Sequence, residues 1–186
     1  MPVFRFDAAT LPRTPWKNGG GSTREIVCRP SGVAGFDWRV SLATIAADGP
    51  FSRFDGVDRV IVLLSGGGVL LQGDGSAHRL DQPLQPHAFA GETPLHATLL
   101  GAVSEDFNVM CRRAALRPTV RVQRSATDLP ATARGLLYAA RGRWQVGGVL
   151  EAGQGLWWED GGAAMRAEPL SAGAALLAVG FEEVSA

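Results

Sequence analysis

The side chains best suited to chemistry are gathered in three short segments, of which the first is WKNGGG at residues 16–21. Lys17 is the only lysine in a chain whose other basic residues are all arginine, and Asn18 is one of two asparagines. The glycines that follow can adopt positive φ angles and let a ligand approach the backbone closely, and their N–H groups can form a nest for an anion. The segment therefore predicts an anion site or, more simply, a turn that leads into the strand STREIV.

The second segment is the strand-like run EDFNVMCRR at residues 105–113, which contains the other asparagine. Alternation along a strand places Asp106, Asn108, Met110 and Arg112 on one face. A face that carries an acid, an amide and a guanidinium is usually solvated, but inside a barrel it would line a polar pocket. Because the planar arginine fork matches a carboxylate, such a pocket would suit a small acid.

The third segment is the loop DGPFSRFDGVDR at residues 48–59, which leads into the apolar run VIVLL. A functional interpretation places Phe51, Ser52 and Arg59 at the mouth of a barrel. The alternative is an ordinary loop that carries a surface ion pair, which would contribute little to stability. Spacing within this segment does not separate the two interpretations.

The histidines give little support for metal chemistry. His78, His87 and His96 recur every nine residues, without the H-x-H pair that metal-binding β-barrels usually present. Glu92 lies between the last two and leaves one candidate ligand set. No G-x-S-x-G motif indicates a nucleophile. We therefore predict no catalytic residue, no metal site and no cofactor.

The elements that must position these segments are predicted to be strands. Short apolar runs recur between Gly, Pro and Asp, at a spacing typical of an all-β sandwich or barrel. In FDWRVSLATI the apolar side chains of Trp38, Val40 and Leu42 share one face, and Arg39 and Ser41 share the other. Two strand-rich parts are expected: an N-terminal half carrying the motif segments over residues 1–115, and a second, smaller barrel over residues 116–186.

Composition narrows the classes of function. The 186 residues carry 18 basic and 18 acidic side chains, without the basic excess of a nucleic-acid-binding protein. No apolar run is long enough to cross a membrane, and the N-terminus lacks the apolar core of a secretion signal. We expect a soluble cytoplasmic protein in which Cys28 and Cys111 are reduced thiols. Open strand edges often pair between copies, so a homodimer is one expected assembly.

The segments TPWKNGGGSTREI, FDWRVSLATIAADGPFSRFDGVDRVIVLLSGGGVLL and FAGETPLHATLLGAVSEDFNVMCRR resemble the HutD/Ves family, and the resemblance extends over almost the whole chain. It implies a cupin-like, RmlC-like jelly-roll β-barrel, arranged as a compact bicupin in one chain. It also implies a protein that senses or modulates histidine utilisation by binding a small anionic metabolite, a carboxylate such as urocanate or N-formylglutamate. The family has no established catalytic activity, so an enzyme is not expected.

The family's motif positions and the three segments together define a predicted ligand-binding set. One small departure from the family is Asp55, where proline is more usual, and it affects only the rigidity of a loop. The predicted ligand-binding residues are Trp16, Lys17, Asn18, Gly19, Gly20, Glu25, Arg39, Ser41, Phe51, Ser52, Arg59, Glu92, Asn108, Met110 and Arg112.

Two other classes of function stay open. One is a metal-independent enzyme, an isomerase or hydrolase of a small acid, with Glu25, Glu92 or His87 as acid–base groups. The other is a structural protein that acts through its surface on a partner. A buried carboxylate with a raised pKa in the pocket would favour the enzyme. A pocket of only Arg, Asn, Ser and aromatic side chains would favour the binding protein.

Overall fold

The computed structural model of the protein describes residues 2–30, 35–73 and 75–184. These residues form 19 strands and no helix, so the prediction of an all-β chain is confirmed. Within the described residues there is accordingly no helix with the length and hydropathy to span a membrane.

The chain divides into two compact units. Residues 12–117 form what we call the large unit, and residues 2–11 together with 118–184 form the small unit. Residues 2–11 belong to the small unit because their strand pairs with a strand near residue 156. The predicted halves had placed this N-terminal segment with residues 12–115.

In the described part of the large unit, ten strands form a six-stranded and a four-stranded sheet. The strands are β2 (Arg13–Pro15), β3 (Gly21–Pro30), β4 (Phe36–Ile45), β5 (Gly49–Pro50), β6 (Val57–Ser65), β7 (Val69–Gly73), β8 (Ser76–Leu80), β9 (Pro86–Ala90), β10 (His96–Leu99) and β11 (Ser104–Arg112). The sheet orders are β2-β3-β4-β11-β6-β9 and β5-β10-β7-β8.

One apolar cluster of the large unit lies between its two sheets. Ile45, Ile61 and Leu63 come from the six-stranded sheet and pack with Val69 and Leu71 of the four-stranded sheet. Among the described residues no backbone ladder joins one sheet to the other. The predicted closed barrel is therefore not formed by hydrogen bonding, and the large unit is held together by side-chain packing between two open sheets.

The small unit has a similar division into sheets. Its strands are β1 (Val3–Asp7), β12 (Leu116–Gln123), β13 (Thr127–Leu129), β14 (Arg134–Arg141), β15 (Trp144–Gln145), β16 (Val149–Leu150), β17 (Gln154–Trp158), β18 (Met165–Pro169) and β19 (Ala175–Glu183). The first two residues of β12 fall before the boundary at residue 118. In its described residues the five-stranded order is β1-β17-β14-β19-β12 and the four-stranded order is β13-β18-β15-β16. Trp144, Leu137, Leu150, Leu156 and Leu176 are at most 1% exposed and belong to one apolar core.

The register of three neighbouring strands positions the polar side chains of the large unit. β11 lies between β4 and β6 and pairs antiparallel with both. Met110 is opposite Arg39 and Arg59 in these two ladders. Because directly paired residues of a sheet project to the same face, each such triplet forms a row across the sheet. The rows that follow are Ser41–Asn108–Ile61 and Ala43–Asp106–Leu63.

Candidate functional site

A cavity of about 480 Å³ lies within the large unit, over the face formed by these rows. Many of the predicted ligand-binding residues line it together: Trp16, Lys17, Asn18, Arg39, Ser41, Phe51, Ser52, Arg59, Asn108 and Met110. The structure thus brings the three sequence segments to one cavity. That these residues bind a ligand stays a prediction.

Arg59 is the most unusual residue of the cavity, because it is a cation with only 6% of its surface exposed. Its Nη1 donates to the carbonyl oxygen of Ser52 at 3.3 Å, and its Nε has no partner. The guanidinium carbon lies 4.9 Å, 5.4 Å and 5.6 Å from the ring centroids of Phe89, Phe51 and Phe54. Burial, and next the charge of Arg39, lower the pKa of Arg59 to about 10, so it remains charged at neutral pH. Within the described residues no carboxylate pairs with it.

Two further cations line the cavity and differ in their partners. Nε of Arg39 donates to Oε2 of Glu25 at 2.8 Å, so the charge of this arginine is partly compensated by an exposed carboxylate. Lys17 is exposed and forms no ion pair with any described residue. The lining of the cavity therefore has an excess of positive charge.

Asp106 also lines the cavity, although the predicted ligand-binding set omits it. Its side chain is fully buried, and neither carboxyl oxygen has a hydrogen-bond partner. The pKa of Asp106 is raised to about 7, mainly by burial and secondly by the charge of Glu105. The signal that could have identified it was its alternation with Asn108 and Met110 on β11, which already placed it on the cavity face.

Asn108 completes the polar floor of the cavity in the next row. It is 9% exposed, and its Oδ1 accepts no hydrogen bond. Ser41, opposite it on β4, is 2% exposed. Near the row of Asp106, the indole Nε1 of Trp16 donates to Oγ1 of Thr23 at 2.8 Å, and this fixes one wall. Buried polar atoms without partners are rare in folded proteins, and their grouping at a cavity is typical of a polar binding site.

The glycine segment is a turn rather than an anion nest. The N–H of Gly20 donates to Oδ1 of Asn18 at 3.0 Å, and the N–H of Gly19 donates to the carbonyl of Trp16 at 3.0 Å. Gly19 has a φ of +73°, and a Cβ on Gly21 would collide with the carbonyl of Thr44. The turn therefore favours glycine at position 19, and the close approach to Thr44 requires it at position 21; the turn holds Trp16 and the two residues after it against the cavity.

The remaining predicted ligand-binding residues are not among those that line the cavity: Gly19, Gly20, Glu25, Glu92 and Arg112. Arg112 lies near the end of β11, where its Nε and Nη2 donate to Oδ1 of Asp37 at 3.0 Å and 2.7 Å. Asp106, Asn108 and Met110 therefore line the cavity, as the alternation of β11 predicts. Arg112 does not line it, and its guanidinium pairs with Asp37 instead.

Glu92 takes part in an ion-pair cluster around Arg113. Nη1 and Nη2 of Arg113 donate to the two carboxylate oxygens of Glu92 at 2.7 Å and 2.9 Å, and its Nε donates to Asp58 at 2.5 Å. The hydrogen bonds from Arg113 are the main reason that the pKa of Glu92 falls to about 2. This cluster was not expected from the sequence, since its members lie on segments far apart in the chain.

The histidines do not line the cavity. His87 and His78 stack with ring centroids 3.5 Å apart, and burial, followed by the charge of His78, lowers the pKa of His87. His96 is exposed. Within residues 2–30, 35–73 and 75–184, no three His, Cys, Asp or Glu side chains are placed to hold a metal ion.

Both cysteines are free thiols in the structure. Cys111 is buried, and this burial, with the charge of Asp58, raises its pKa to about 12. Cys28 is half-buried, and its pKa is also raised, mainly by burial. Neither environment favours a reactive thiolate.

Fold and site together define an all-β protein of two units, one of which encloses a polar cavity with excess positive charge. The chain belongs to the HutD family, whose model matches residues 8–177, and the resemblance seen in the sequence is thereby confirmed. Protein Ves of Citrobacter koseri is 42% identical over 158 residues, which cover 84% of this chain and 83% of that protein.

Two solved structures are similar over 99% of this chain and 100% of their own chains. HutD from Pseudomonas fluorescens SBW25, in a formate condition, has a TM-score of 0.88 and 27% identity. A conserved protein of unknown function from Pseudomonas aeruginosa PAO1 has a TM-score of 0.86 and 31% identity. Both similarities support the same arrangement of strands in this chain.

Proposed function

We propose that the cavity of the large unit binds a small carboxylate, and that the protein is a sensor or modulator of histidine utilisation rather than an enzyme. Membership of the HutD family makes urocanate and N-formylglutamate the leading candidate ligands. The regulatory part of the proposal depends on family membership, whereas the binding part depends on the cavity.

The single observation that carries the proposal is the buried guanidinium of Arg59. A charge taken out of water is costly unless a partner of opposite sign compensates it. Three aromatic rings stabilise the cation in part, but its Nε still lacks an acceptor. A carboxylate in the cavity would supply both the missing negative charge and the missing acceptor.

The size of the cavity supports a small ligand. A volume of about 480 Å³ lies in the lower part of the range of small-molecule sites. The lining combines aromatic and aliphatic side chains with a few polar groups, which is typical of metabolite pockets. The turn at residues 16–20 and the loop of Phe51 and Ser52 border this space, so a ligand would lie between them and the six-stranded sheet.

We also infer that each unit is one cupin-like module, which would make the chain a bicupin. The support is that each unit pairs a larger sheet with a four-stranded sheet. On this interpretation the large unit has kept a ligand cavity, whereas packed apolar side chains form the core of the small unit.

Titration of the purified protein with formate, glutamate, urocanate and N-formylglutamate tests the proposal. The wild type should be stabilised by at least one acid, by about 2.7 kcal/mol when the acid is present at roughly 100 times its Kd. Arg59→Gln should weaken that binding by about 100-fold, since a buried charged partner is lost. Calorimetry gives the affinities and thermal melts give the stabilisation.

Arg79→Gln is the matched control, because Arg79 is an exposed arginine of the same unit that pairs with Asp81. It should leave the affinity unchanged. Arg112→Gln then decides whether the predicted role of Arg112 holds despite its pairing with Asp37. Equal binding by wild type and Arg59→Gln, or binding of none of the acids, would contradict carboxylate binding at this cavity.

An enzyme is the second candidate, and Asp106 is the observation that favours it. A buried carboxyl group in the cavity with a pKa of about 7 is suited to general acid–base work at neutral pH. Glu25, Glu92 and His87 are weaker candidates for this role because none of them lines the cavity. If a bound acid is converted to a product and Asp106→Asn stops turnover while retaining binding, the enzyme hypothesis replaces the sensor hypothesis.

A further inference from the structure

Asp106 gives the cavity a property that carboxylate binding at Arg59 does not require. We propose that Asp106 is present as a neutral carboxylic acid and donates its O–H to an acceptor oxygen of the bound acid, so that the ligand and one proton are held together. This inference rests on the proposed binding function and adds a specificity-determining residue to the same cavity.

The geometry around Asp106 is the first argument. It lies on the central strand β11, between Ala43 of β4 and Leu63 of β6, with no exposed surface. Neither carboxyl oxygen receives a hydrogen bond from any described residue. An ionised carboxylate in such surroundings would be neither solvated nor paired, whereas the neutral acid carries a donor that needs only one acceptor.

The charged groups on the neighbouring strands do not compensate Asp106. In strand register, Arg39 on β4 and Arg59 on β6 are four residues beyond the row of Asp106, a displacement of about 13 Å along the strands. Glu105, the preceding residue on β11, pairs with Arg24, and its charge opposes ionisation of Asp106. With burial as the larger cause, the pKa of Asp106 is raised to about 7.

The other titratable groups that face this part of the unit are distant or exposed. On β3, Glu25 is one row away, opposite Ser41, and pairs with Arg39. On β9, His87 is opposite Ile61 and stacks on His78. Lys17 borders the cavity from the turn at residues 16–20, but its exposure means that solvent screens its charge.

Two consequences follow for the ligand. It should carry a second acceptor oxygen in addition to the group at Arg59, as a dicarboxylate or an acyl-substituted acid does, because Asp106 and Arg59 lie in different rows. An anion beside Asp106 further opposes ionisation of this carboxyl group. Binding above the pKa of Asp106 should therefore take up one proton, which forms the O–H bond of Asp106 while no bond of the ligand is broken.

The test is the pH dependence of binding, with formate and glutarate as probes whose carboxyl groups stay ionised. Calorimetric titrations run from about pH 6 to about pH 9, and proton uptake is measured near pH 8 in HEPES and in Tris, which differ in heat of ionisation. For the wild type we expect glutarate affinity to fall by about tenfold per pH unit above the pKa, with close to one proton taken up. Asp106→Asn keeps a fixed donor, so its affinity should not vary with pH.

Asp128→Asn is the control, since Asp128 is exposed, belongs to the small unit and pairs with Arg166. It should keep the wild-type slope. A pH-independent wild type, or an Asp106→Asn variant with the wild-type slope, overturns the inference while leaving carboxylate binding intact. If the variant does not fold, the buffer comparison on the wild type decides the same question by itself. Binding of neither probe at any pH removes the proposed function and this inference with it.

Discussion

The interiors of the two units differ, although each unit pairs a larger sheet with a four-stranded one. In the small unit, Leu137, Trp144 and Leu156 belong to one apolar core. In the large unit, the corresponding space contains Arg59 and Asp106 in addition to its apolar cluster, and a cavity remains.

The difference shows that the arrangement of strands does not by itself make a site. A few inward-facing positions on neighbouring strands decide whether the space between two sheets is filled or stays open to a ligand. Burying arginine or aspartate at such positions is destabilising, and proteins commonly retain destabilising residues where a functional site requires them. Substitutions in both units test this explanation.

The largest expected effect is in the apolar interior. Leu137 and Met110 are both 1% exposed, but only Met110 lines the cavity. Leu137→Ala should lower the free energy of unfolding by about 3 kcal/mol, because it leaves a void in a packed core. Met110→Ala should cost about half as much, since it enlarges a cavity that already exists. Urea denaturation measures both, and equal losses would mean that the two interiors are packed alike.

At Arg59 we expect a substitution of intermediate effect that raises the stability of the ligand-free protein instead of lowering it. Arg59→Met replaces an uncompensated buried cation by an apolar side chain of similar length, so ligand-free protein should gain about 1–3 kcal/mol of stability. The same variant should lose carboxylate binding, which would identify Arg59 as a residue that is retained at a cost for function. Denaturation without ligand is the measurement, and a destabilised Arg59→Met would show that its aromatic contacts already compensate the charge.

The smallest effect is expected at the Arg113 cluster, where the cation is half-exposed and fully paired. The pKa of Glu92 is about 2, below its usual value, so its pairing stabilises the fold above about pH 4.5 and is lost as the pH falls towards 2. Glu92→Gln should therefore lower Tm slightly at neutral pH, and the difference from wild type should shrink in acid. Thermal melts across this range measure it, and a difference that persists at the lowest pH would exclude the ion pair as its cause.

Much of the site could be predicted from local patterns. The alternation of β11 placed Asp106, Asn108 and Met110 on one face, and all three line the cavity. The alternation of β4 did the same for Arg39 and Ser41. These predictions hold because a strand has a period of two whatever surrounds it.

The partners of the arginines could not be predicted in the same way. Arg112 and Arg113 are adjacent, yet Asp37 engages one and Glu92 with Asp58 engages the other. Those carboxylates lie on other strands and loops, so the pairing depends on the register between segments that are distant in the sequence. The strand pattern left a sandwich or a barrel open, and the barrel was expected only from the family resemblance, because strand content carries no information on how sheet edges meet.

The strand periodicity, the turn at residues 16–21, the balanced charge and the family can all be read from the residues alone. Folding is needed to show that Arg59 has three aromatic neighbours and, among the described residues, no carboxylate, and that Asp106 has no hydrogen-bond partner there. This is because the protonation and compensation of a charged group depend on its loss of water and on the distance to its partners. Both are properties of the folded chain and not of the residue types along it.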